Sequence, residues 1–176
     1  MRIDSIALIG YRGTGKTTVA QRLAMQLGWD WVDADVEVEL RAGKSIAAIF
    51  ADDGEAAFRD VEASVMEDLC RRTDTVLALG GGAVLREENR LAIKNCGAAV
   101  WLLASVDAIE RRIAADPATA ARRPNLTNAP QRTEIERLLK ERTPNYRACA
   151  TLEVDTEGKA PAEIADEIVA ALGLIS

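Results

Sequence analysis

Histidine is absent from this sequence of 176 residues, and cysteine occurs only three times. Without histidine, neither an imidazole general base nor a histidine metal ligand is possible. Cys70, Cys96 and Cys149 are odd in number and widely spaced. This pattern favours reduced thiols over a disulfide framework or a zinc site.

Long apolar runs and an excess of positive charge are also missing. No stretch approaches the ~18 apolar residues of a membrane span. Residues 1–4 lead directly into a predicted strand rather than a signal peptide, so we expect a cytoplasmic protein with no membrane partner. The net charge of −6 argues against a nucleic-acid-binding surface. Arginine supplies most of the 22 basic residues, and its planar fork suits carboxylates and phosphates.

The most informative stretch that is present is glycine-rich: residues 10–17 have the spacing G-x-x-x-x-G-K-T. They follow an apolar run and precede a helical pattern. Glycines let backbone N–H groups turn inward around an anion, and the N-terminus of the following helix adds its own N–H groups. Lys16 would contact the outer phosphates of a nucleotide, and the Thr17 hydroxyl would bind Mg²⁺. A glycine-rich turn that merely precedes a helix is the alternative.

Short apolar strands alternate with helical patterns along the whole chain, with no internal repeat and no domain-sized linker. This order predicts a single α/β domain, residues 1–176, built as a three-layer sandwich around a five-stranded parallel sheet. The predicted strands are residues 3–9, 29–32, 75–79, 98–103 and 151–154. The predicted helices are residues 16–27, 46–50, 55–71, 105–112, 132–142 and 161–172, and Pro144 is expected to end the fifth of these.

Two aspartates follow the second predicted strand. In such a sheet, ligands bind beyond the carboxyl ends of the strands, where the glycine-rich stretch also lies. Alternation sends residues i and i+2 of an extended chain, here Asp33 and Asp35, to the same side. Asp33 would then organise Mg²⁺, and Asp35 would meet the phosphoryl acceptor. An acidic loop that only caps the next helix is the alternative.

Glu62 lies in an otherwise apolar stripe of the helix predicted at residues 55–71, between Phe58 and Val65. A carboxylate buried there needs a partner, and Arg59, three residues earlier, can supply it. A guanidinium held in this way is a rigid donor for a small carboxylate ligand. The alternative is a solvated surface pair that contributes little to stability.

The third strand ends in the triplet Gly80, Gly81 and Gly82. At the ligand-binding edge of the sheet, such a triplet would let a ligand approach backbone N–H groups closely. A loose turn is the alternative.

Four arginines follow the fourth strand: Arg111, Arg112, Arg122 and Arg123. The last two lie in a segment rich in alanine, proline and asparagine. If that segment closes as a lid, one of these arginines would neutralise charge on the transferring phosphoryl group. Otherwise they are solvated surface charges.

Together these residues resemble the shikimate kinase family along essentially the whole chain. The phosphate loop alone is shared by many enzymes. The elements F-R-x-x-E, G-G-G and R-x-P-x-Y, in this order, are much more specific. The matching stretches are GTGKTT at 13–18, DAD at 33–35, SIAAIF at 45–50, DGEAAFRDVE at 53–62, LGGGAV at 79–84, RP at 123–124, ERTPNYR at 141–147 and VDT at 154–156.

The resemblance implies a P-loop kinase fold like that of the nucleoside monophosphate kinases, with a substrate-binding insert at residues 33–61 and a lid at residues 112–130. It implies that ATP phosphorylates the 3-hydroxyl of shikimate, a step in chorismate and aromatic amino acid biosynthesis. One Mg²⁺ ion and a monomeric protein are also implied. The alternatives are a kinase of another small acid, such as gluconate, and a nucleotide-binding regulatory module without turnover.

The resemblance also implies a role for individual residues. The implied catalytic residues are Lys16, Asp35 and Arg123. The implied nucleotide-binding residues are Gly13, Thr14, Gly15, Lys16, Thr17, Thr18, Arg111, Arg123 and Pro161. The implied shikimate-binding residues are Asp35, Arg59, Gly80, Gly81, Gly82 and Arg142, and the implied magnesium ligands are Thr17 and Asp33.

Overall fold

The computed structural model describes residues 3–116 and 130–174. Its strands are Ser5–Ile9 (β1), Asp30–Asp33 (β2), Thr75–Ala78 (β3), Ala98–Leu103 (β4) and Leu152–Asp155 (β5). Its helices are Lys16–Leu27 (α1), Ala34–Ala42 (α2), Ile46–Asp52 (α3), Gly54–Leu69 (α4), Glu87–Asn95 (α5), Val106–Ala115 (α6), Gln131–Cys149 (α7) and Pro161–Ala171 (α8). Each described helix is too short or too polar to span a lipid bilayer.

The sheet is parallel throughout, in the order β2-β3-β1-β4-β5. The central strand β1 is buried along its whole length, and its alternation divides the core into two clusters. Ala7 and Ile9 pack with side chains from α2, α4, α5 and α7. Ile6 and Leu8 pack on the other face with α1 and α8. The predicted three-layer α/β sandwich is therefore confirmed.

The strand order determines which loops meet. β3 pairs with β1 on one side and with β2 on the other, so the carboxyl ends of these three strands are neighbours. The glycine-rich loop follows β1, Asp33 ends β2, and the glycine triplet follows β3 by two residues. Three stretches that are distant in sequence thus reach one edge of the sheet, as predicted from topology.

The chain is not extended through Asp35, which corrects the alternation argument. Asp33 ends β2 and is also the N-cap of α2: its Oδ1 accepts a hydrogen bond from the backbone N–H of Asp35 at 2.9 Å. An aspartate in this position satisfies an N–H group that the helix leaves unpaired. Asp35 therefore lies in the first turn of α2, so the helix, and not the strand, sets its direction.

Pro144 does not end the helix that carries Arg142, so that prediction was wrong. Helix α7 continues through Pro144 to Cys149. A proline inside a helix costs about 3 kcal/mol or more. Beyond it, however, Tyr146 and Cys149 are buried to 0% and 2% exposure, and burying such side chains contributes a comparable amount. The continuation keeps Arg142 and Tyr146 one turn apart on the same face of α7.

Helix α5 was not predicted. Its buried residues are Asn89 and Ile93, while Leu91 is exposed. An apolar stripe at helical spacing is what reveals a helix in a sequence, and this helix has none.

Candidate active site

Residues 10–15 join β1 to α1 in the turn that the motif predicts. Gly10 has a φ of 139°, and Gly15, which caps α1, has a φ of 91°. A Cβ on Gly10 would lie 2.6 Å from the carbonyl oxygen of Leu102, so only glycine fits there. The loop lies at the N-terminus of α1, where unpaired N–H groups and the helix dipole favour an anion.

Lys16 is the first residue of α1 and lines the cavity beside this loop. Its Nζ donates to the carbonyl oxygens of Gly10 and Tyr11, each at 2.8 Å. The hydroxyl of Thr14 donates to the same Tyr11 carbonyl at 2.8 Å. These hydrogen bonds hold the ammonium group against the loop, where its charge adds to the anion site.

The cavity brings together residues from the loops after β1, β2 and β3. The predicted site residues that line it are Gly13, Gly15, Lys16, Thr17, Thr18, Asp33, Asp35, Gly80 and Gly81. Arg12, Ala78, Leu79 and Asp116 also line it, although none of them had a predicted role. Thr14 is buried within the loop. An anion site and three carboxylates, those of Asp33, Asp35 and Asp116, therefore share one cavity.

Asp33 contacts the phosphate loop as well as α2. The hydroxyl of Thr17 donates to Asp33 Oδ2 at 2.9 Å, while Oδ1 caps α2. The capping role and the candidate metal role are thus compatible, because each uses a different oxygen. Hydroxyl and carboxylate oxygens are ligands that Mg²⁺ takes. In residues 3–116 and 130–174 no group of three acidic or thiol side chains could hold a metal, so a cation here would need ligands from water and phosphates.

The pair of Arg59 and Glu62 is buried, which rules out the solvated alternative. Arg59 Nη1 donates to Glu62 Oε2 at 2.6 Å, and the two residues are 7% and 3% exposed. The guanidinium lies directly against the glycine triplet. A Cβ on Gly82 would lie 2.6 Å from Arg59 Nη1 and Nη2, so any larger residue would displace it. Gly82 thus makes room for a protein guanidinium, a function the sequence did not indicate.

Arg142 reaches the same triplet from α7. A Cβ on Gly81 would lie 3.5 Å from Arg142 Nη1, and Tyr146, one turn along α7, donates its hydroxyl to the Gly81 carbonyl at 2.5 Å. Arg142 is 6% exposed and lies over the ring of Tyr11, 5.9 Å from its centroid. In the described ranges no carboxylate lies within ion-pair distance of it. A buried guanidinium in this state is poised to receive an anionic ligand.

The residues predicted to contact the nucleotide base, Arg111 and Pro161, are more exposed than Arg59 and Arg142. Arg111 is 74% exposed and lies 3.5 Å from Glu157, and Pro161 is exposed at the start of α8. Arg112 is closer to the phosphate loop, because its Nη1 donates to the carbonyl of Gly13 at 3.4 Å and to Thr156 Oγ1 at 3.0 Å. These predictions are neither supported nor contradicted by this geometry.

The arginines predicted for the lid, Arg122 and Arg123, lie outside the described residues. Most of the proposed lid at residues 112–130 lies there too. Their roles therefore remain predictions from the resemblance.

Arg12 lines the cavity and pairs with Glu134, and neither residue had a predicted role. Arg12, at a variable position of the glycine-rich motif, donates from Nη2 to Glu134 Oε2 at 3.3 Å. Glu134 lies in the first turn of α7 and is 1% exposed. Nothing in the sequence pairs these positions, which are 122 residues apart.

Comparison with known proteins identifies a family with a similar sequence. A family model described as shikimate kinase matches residues 12–173. The shikimate kinase of Rhodopirellula baltica is 46% identical over 164 residues, covering 93% of this chain and 88% of that protein. The matched range includes residues 12–17 of the glycine-rich stretch, both buried arginines and the glycine triplet.

Solved structures agree at the level of the whole fold. The shikimate kinase from Acinetobacter baumannii, solved in complex with shikimate, superposes with a TM-score of 0.91 at 34% identity, covering 98% of this chain and 94% of that chain. A gluconokinase from Sinorhizobium meliloti has a TM-score of 0.60 at 20% identity, covering 98% of this chain and 93% of that chain, and this likeness shows the fold alone. On sequence, fold and the arrangement of loop, glycine triplet and arginines, this chain belongs to the shikimate kinase family.

Proposed function

We propose that this protein transfers the γ-phosphoryl group of ATP to the 3-hydroxyl of shikimate and releases shikimate 3-phosphate and ADP. One observation carries this proposal: two buried guanidinium groups, from Arg59 and Arg142, flank a glycine triplet that opens onto the phosphate loop. A small acceptor with a carboxylate at one end and a hydroxyl at the other would span these two features. The Acinetobacter baumannii enzyme, which binds shikimate, supports the choice of acceptor.

Arg59 and Arg142 would bind the acceptor carboxylate. Arg59 is fixed by Glu62 at 2.6 Å, so it is preorganised, and Arg142 brings a charge that no described carboxylate neutralises. Planar guanidinium groups match a carboxylate with paired, charge-assisted hydrogen bonds. Gly80, Gly81 and Gly82 would let the ring hydroxyls approach the backbone.

The phosphate loop would bind the triphosphate of ATP. Residues 13–18 would surround the β- and γ-phosphates, and Lys16 would neutralise charge that develops during transfer. Arg111 and Pro161 would flank the adenine. By the family resemblance, Arg123 would approach the phosphates from the lid and help to exclude water.

Thr17 and Asp33 would hold the magnesium ion that accompanies ATP, because their oxygens lie 2.9 Å apart beside Lys16. When bound, the ion supplies charge neutralisation to the phosphates. An Asp33→Asn variant should require about 10-fold more Mg²⁺ for half-maximal rate. Its kcat should recover at saturating Mg²⁺, because asparagine still caps α2. An unchanged Mg²⁺ dependence would remove Asp33 from the site.

Asp35 would orient the acceptor hydroxyl and accept its proton late in the transfer. Because phosphoryl transfer is loose, a base contributes near the low end of its usual range, so Asp35→Asn should lower kcat about 100-fold. KM for ATP should change little. Asp30→Asn, at the exposed start of β2, is the matched control and should retain wild-type kcat. Wild-type kcat in Asp35→Asn would contradict this role.

The function itself is tested by ADP release with shikimate and with gluconate as acceptors. Shikimate-dependent turnover is expected, with gluconate at least about 10²-fold poorer in kcat/KM, because pocket contacts to a rigid ring discriminate by several kcal/mol. Faster turnover with gluconate would favour the alternative acid. ATP binding without turnover on either acid would favour a regulatory module.

A further inference from the structure

Arg12 belongs to the phosphate loop and lines the cavity. It lines the same cavity as Lys16, Asp35 and Gly81. A Cβ on Gly81 would lie 3.3 Å from its backbone nitrogen, so the start of the phosphate loop is in close contact with the glycine triplet. Arg12 therefore lies where the phosphate loop and the glycine triplet meet.

The guanidinium of Arg12 pairs with a carboxylate of α7, outside the phosphate loop. Glu134 Oε2 accepts from Arg12 Nη2 at 3.3 Å, and the two side chains are 1% and 14% exposed. Burying a carboxylate is costly unless its interactions are strong and well placed. An ion pair that only joined α7 to the phosphate loop could lie at the surface, so the burial of Glu134 indicates a further role for this pair.

The neighbouring residue links Arg12 to the acceptor side. Tyr11 lies under Arg142, with the guanidinium carbon 5.9 Å from the ring centroid. Burial raises the pKa of Tyr11, and the nearby charges of Arg12 and Arg142 act in the opposite direction. Tyr11, Arg12, Glu134 and Arg142 therefore form one cluster between the phosphate loop and the carboxylate-binding arginine.

We propose that Arg12 binds the phosphoryl group as it is transferred and in the product, and that Glu134 is the positioning residue that holds Arg12 there. This rests on the proposed function. In the step, the bond from the γ-phosphorus to the β,γ-bridging oxygen breaks and ADP leaves with its electron pair. A bond forms from phosphorus to O3 of shikimate, and the hydroxyl proton passes to Asp35. Lys16 contacts the phosphoryl group from the nucleotide side, and Arg12, whose fork matches phosphate oxygens, contacts it from the acceptor side.

Shikimate and shikimate 3-phosphate differ only in the phosphoryl group, so comparing their affinities measures how much Arg12 contributes to binding that group. Titration calorimetry would compare shikimate and shikimate 3-phosphate on the wild type, Arg12→Ala, Glu134→Gln and the double variant. Arg12→Ala should weaken binding of the phosphorylated ligand by about 10-fold or more, since a charge-assisted hydrogen bond is lost. Binding of shikimate itself should change less than about 2-fold, since its carboxylate contacts Arg59 and Arg142.

Glu134→Gln should produce a smaller loss of the same selective kind. The double variant should bind shikimate 3-phosphate no more weakly than Arg12→Ala, because in this proposal Glu134 affects the phosphoryl group through Arg12. In turnover, Arg12→Ala should lower kcat about 100-fold with little change in KM for shikimate. Arg12→Lys keeps the positive charge but lacks the planar guanidinium group, so it should recover part of the lost kcat.

The double variant also guards against misfolding, because it removes both charges of the buried pair together. The inference would be overturned if the variants lost affinity equally for shikimate and shikimate 3-phosphate. It would also be overturned if the fold-losses of the two single variants multiplied in the double variant. Either result would show that the pair of Arg12 and Glu134 has only a structural role. A wild-type protein that neither binds nor phosphorylates shikimate would instead overturn the proposed function.

Discussion

Lys16→Met should lower kcat for shikimate-dependent ADP release by about 10³-fold, because removing one fixed charge at a phosphoryl-transfer site costs on that order. The Nζ of Lys16 donates to Gly10 and Tyr11 at 2.8 Å. The ammonium group is therefore already positioned at the N-terminus of α1 before ATP binds. Methionine keeps the length of the stem and removes the charge and its donors.

The measurement is a steady-state ADP assay with both substrates varied. Lys94→Met, an exposed lysine of α5, is the matched control and should retain wild-type kcat. Circular dichroism and thermal unfolding of both variants show whether the loop change has spread to the fold. A Lys16→Met enzyme with more than about one tenth of the wild-type kcat would contradict the assigned role.

Arg59→Met and Arg142→Met should have the same effect on substrate binding and different effects on stability. Each should raise KM for shikimate roughly 10- to 100-fold, because each removes charge-assisted hydrogen bonds to the carboxylate. Arg59→Met also leaves the buried carboxylate of Glu62, 3% exposed, without its 2.6 Å partner. Such a loss destabilises a protein by roughly 3–5 kcal/mol.

Arg142→Met should not lower the free energy of unfolding, and it should raise the melting temperature. The reason is that no described carboxylate pairs with Arg142, so its burial at 6% exposure is a cost that methionine removes. Sites arranged for a charged ligand commonly sacrifice stability in this way.

Urea unfolding of the two variants without ligand tests the predicted stabilities, and KM for shikimate tests the predicted loss of substrate binding. The double variant Arg59→Met with Glu62→Gln serves as a control, because it should recover much of the stability but none of the substrate affinity. Equal destabilisation by the two arginine substitutions would show that Arg142 has a structural role. An unchanged KM in either variant would remove that residue from the carboxylate site.

The features predicted correctly from the sequence share a local origin. The pair of Arg59 and Glu62 follows from helical spacing of three residues, and its burial from the apolar stripe around it. The phosphate loop follows from glycines at fixed intervals between a strand and a helix. The parallel sheet follows from the alternation of strands and helices.

The two errors, at Asp35 and at Pro144, have different origins. Asp35 was placed on an extended chain because its helix begins directly at the strand end, with Asp33 as both last strand residue and cap. Pro144 was expected to stop a helix, and the packing of Tyr146 and Cys149 outweighed that local preference. Contacts made after folding thus decided the conformation at Pro144, whereas the cap that Asp33 provides to the Asp35 N–H is a local contact.

Sequence alone determined the motif that binds phosphate, the class of fold, and the arginine that a neighbouring glutamate would hold, since each depends on residues within a few positions of one another. Tertiary structure alone decided that Gly82 must admit the Arg59 guanidinium, that Arg142 reaches Gly81 from the far end of the chain, and that Glu134 holds Arg12. Those contacts join segments from 23 to 122 residues apart. Backbone geometry fixes the neighbours of a residue over one or two helical turns, whereas partners at such separations are fixed only by how the layers pack.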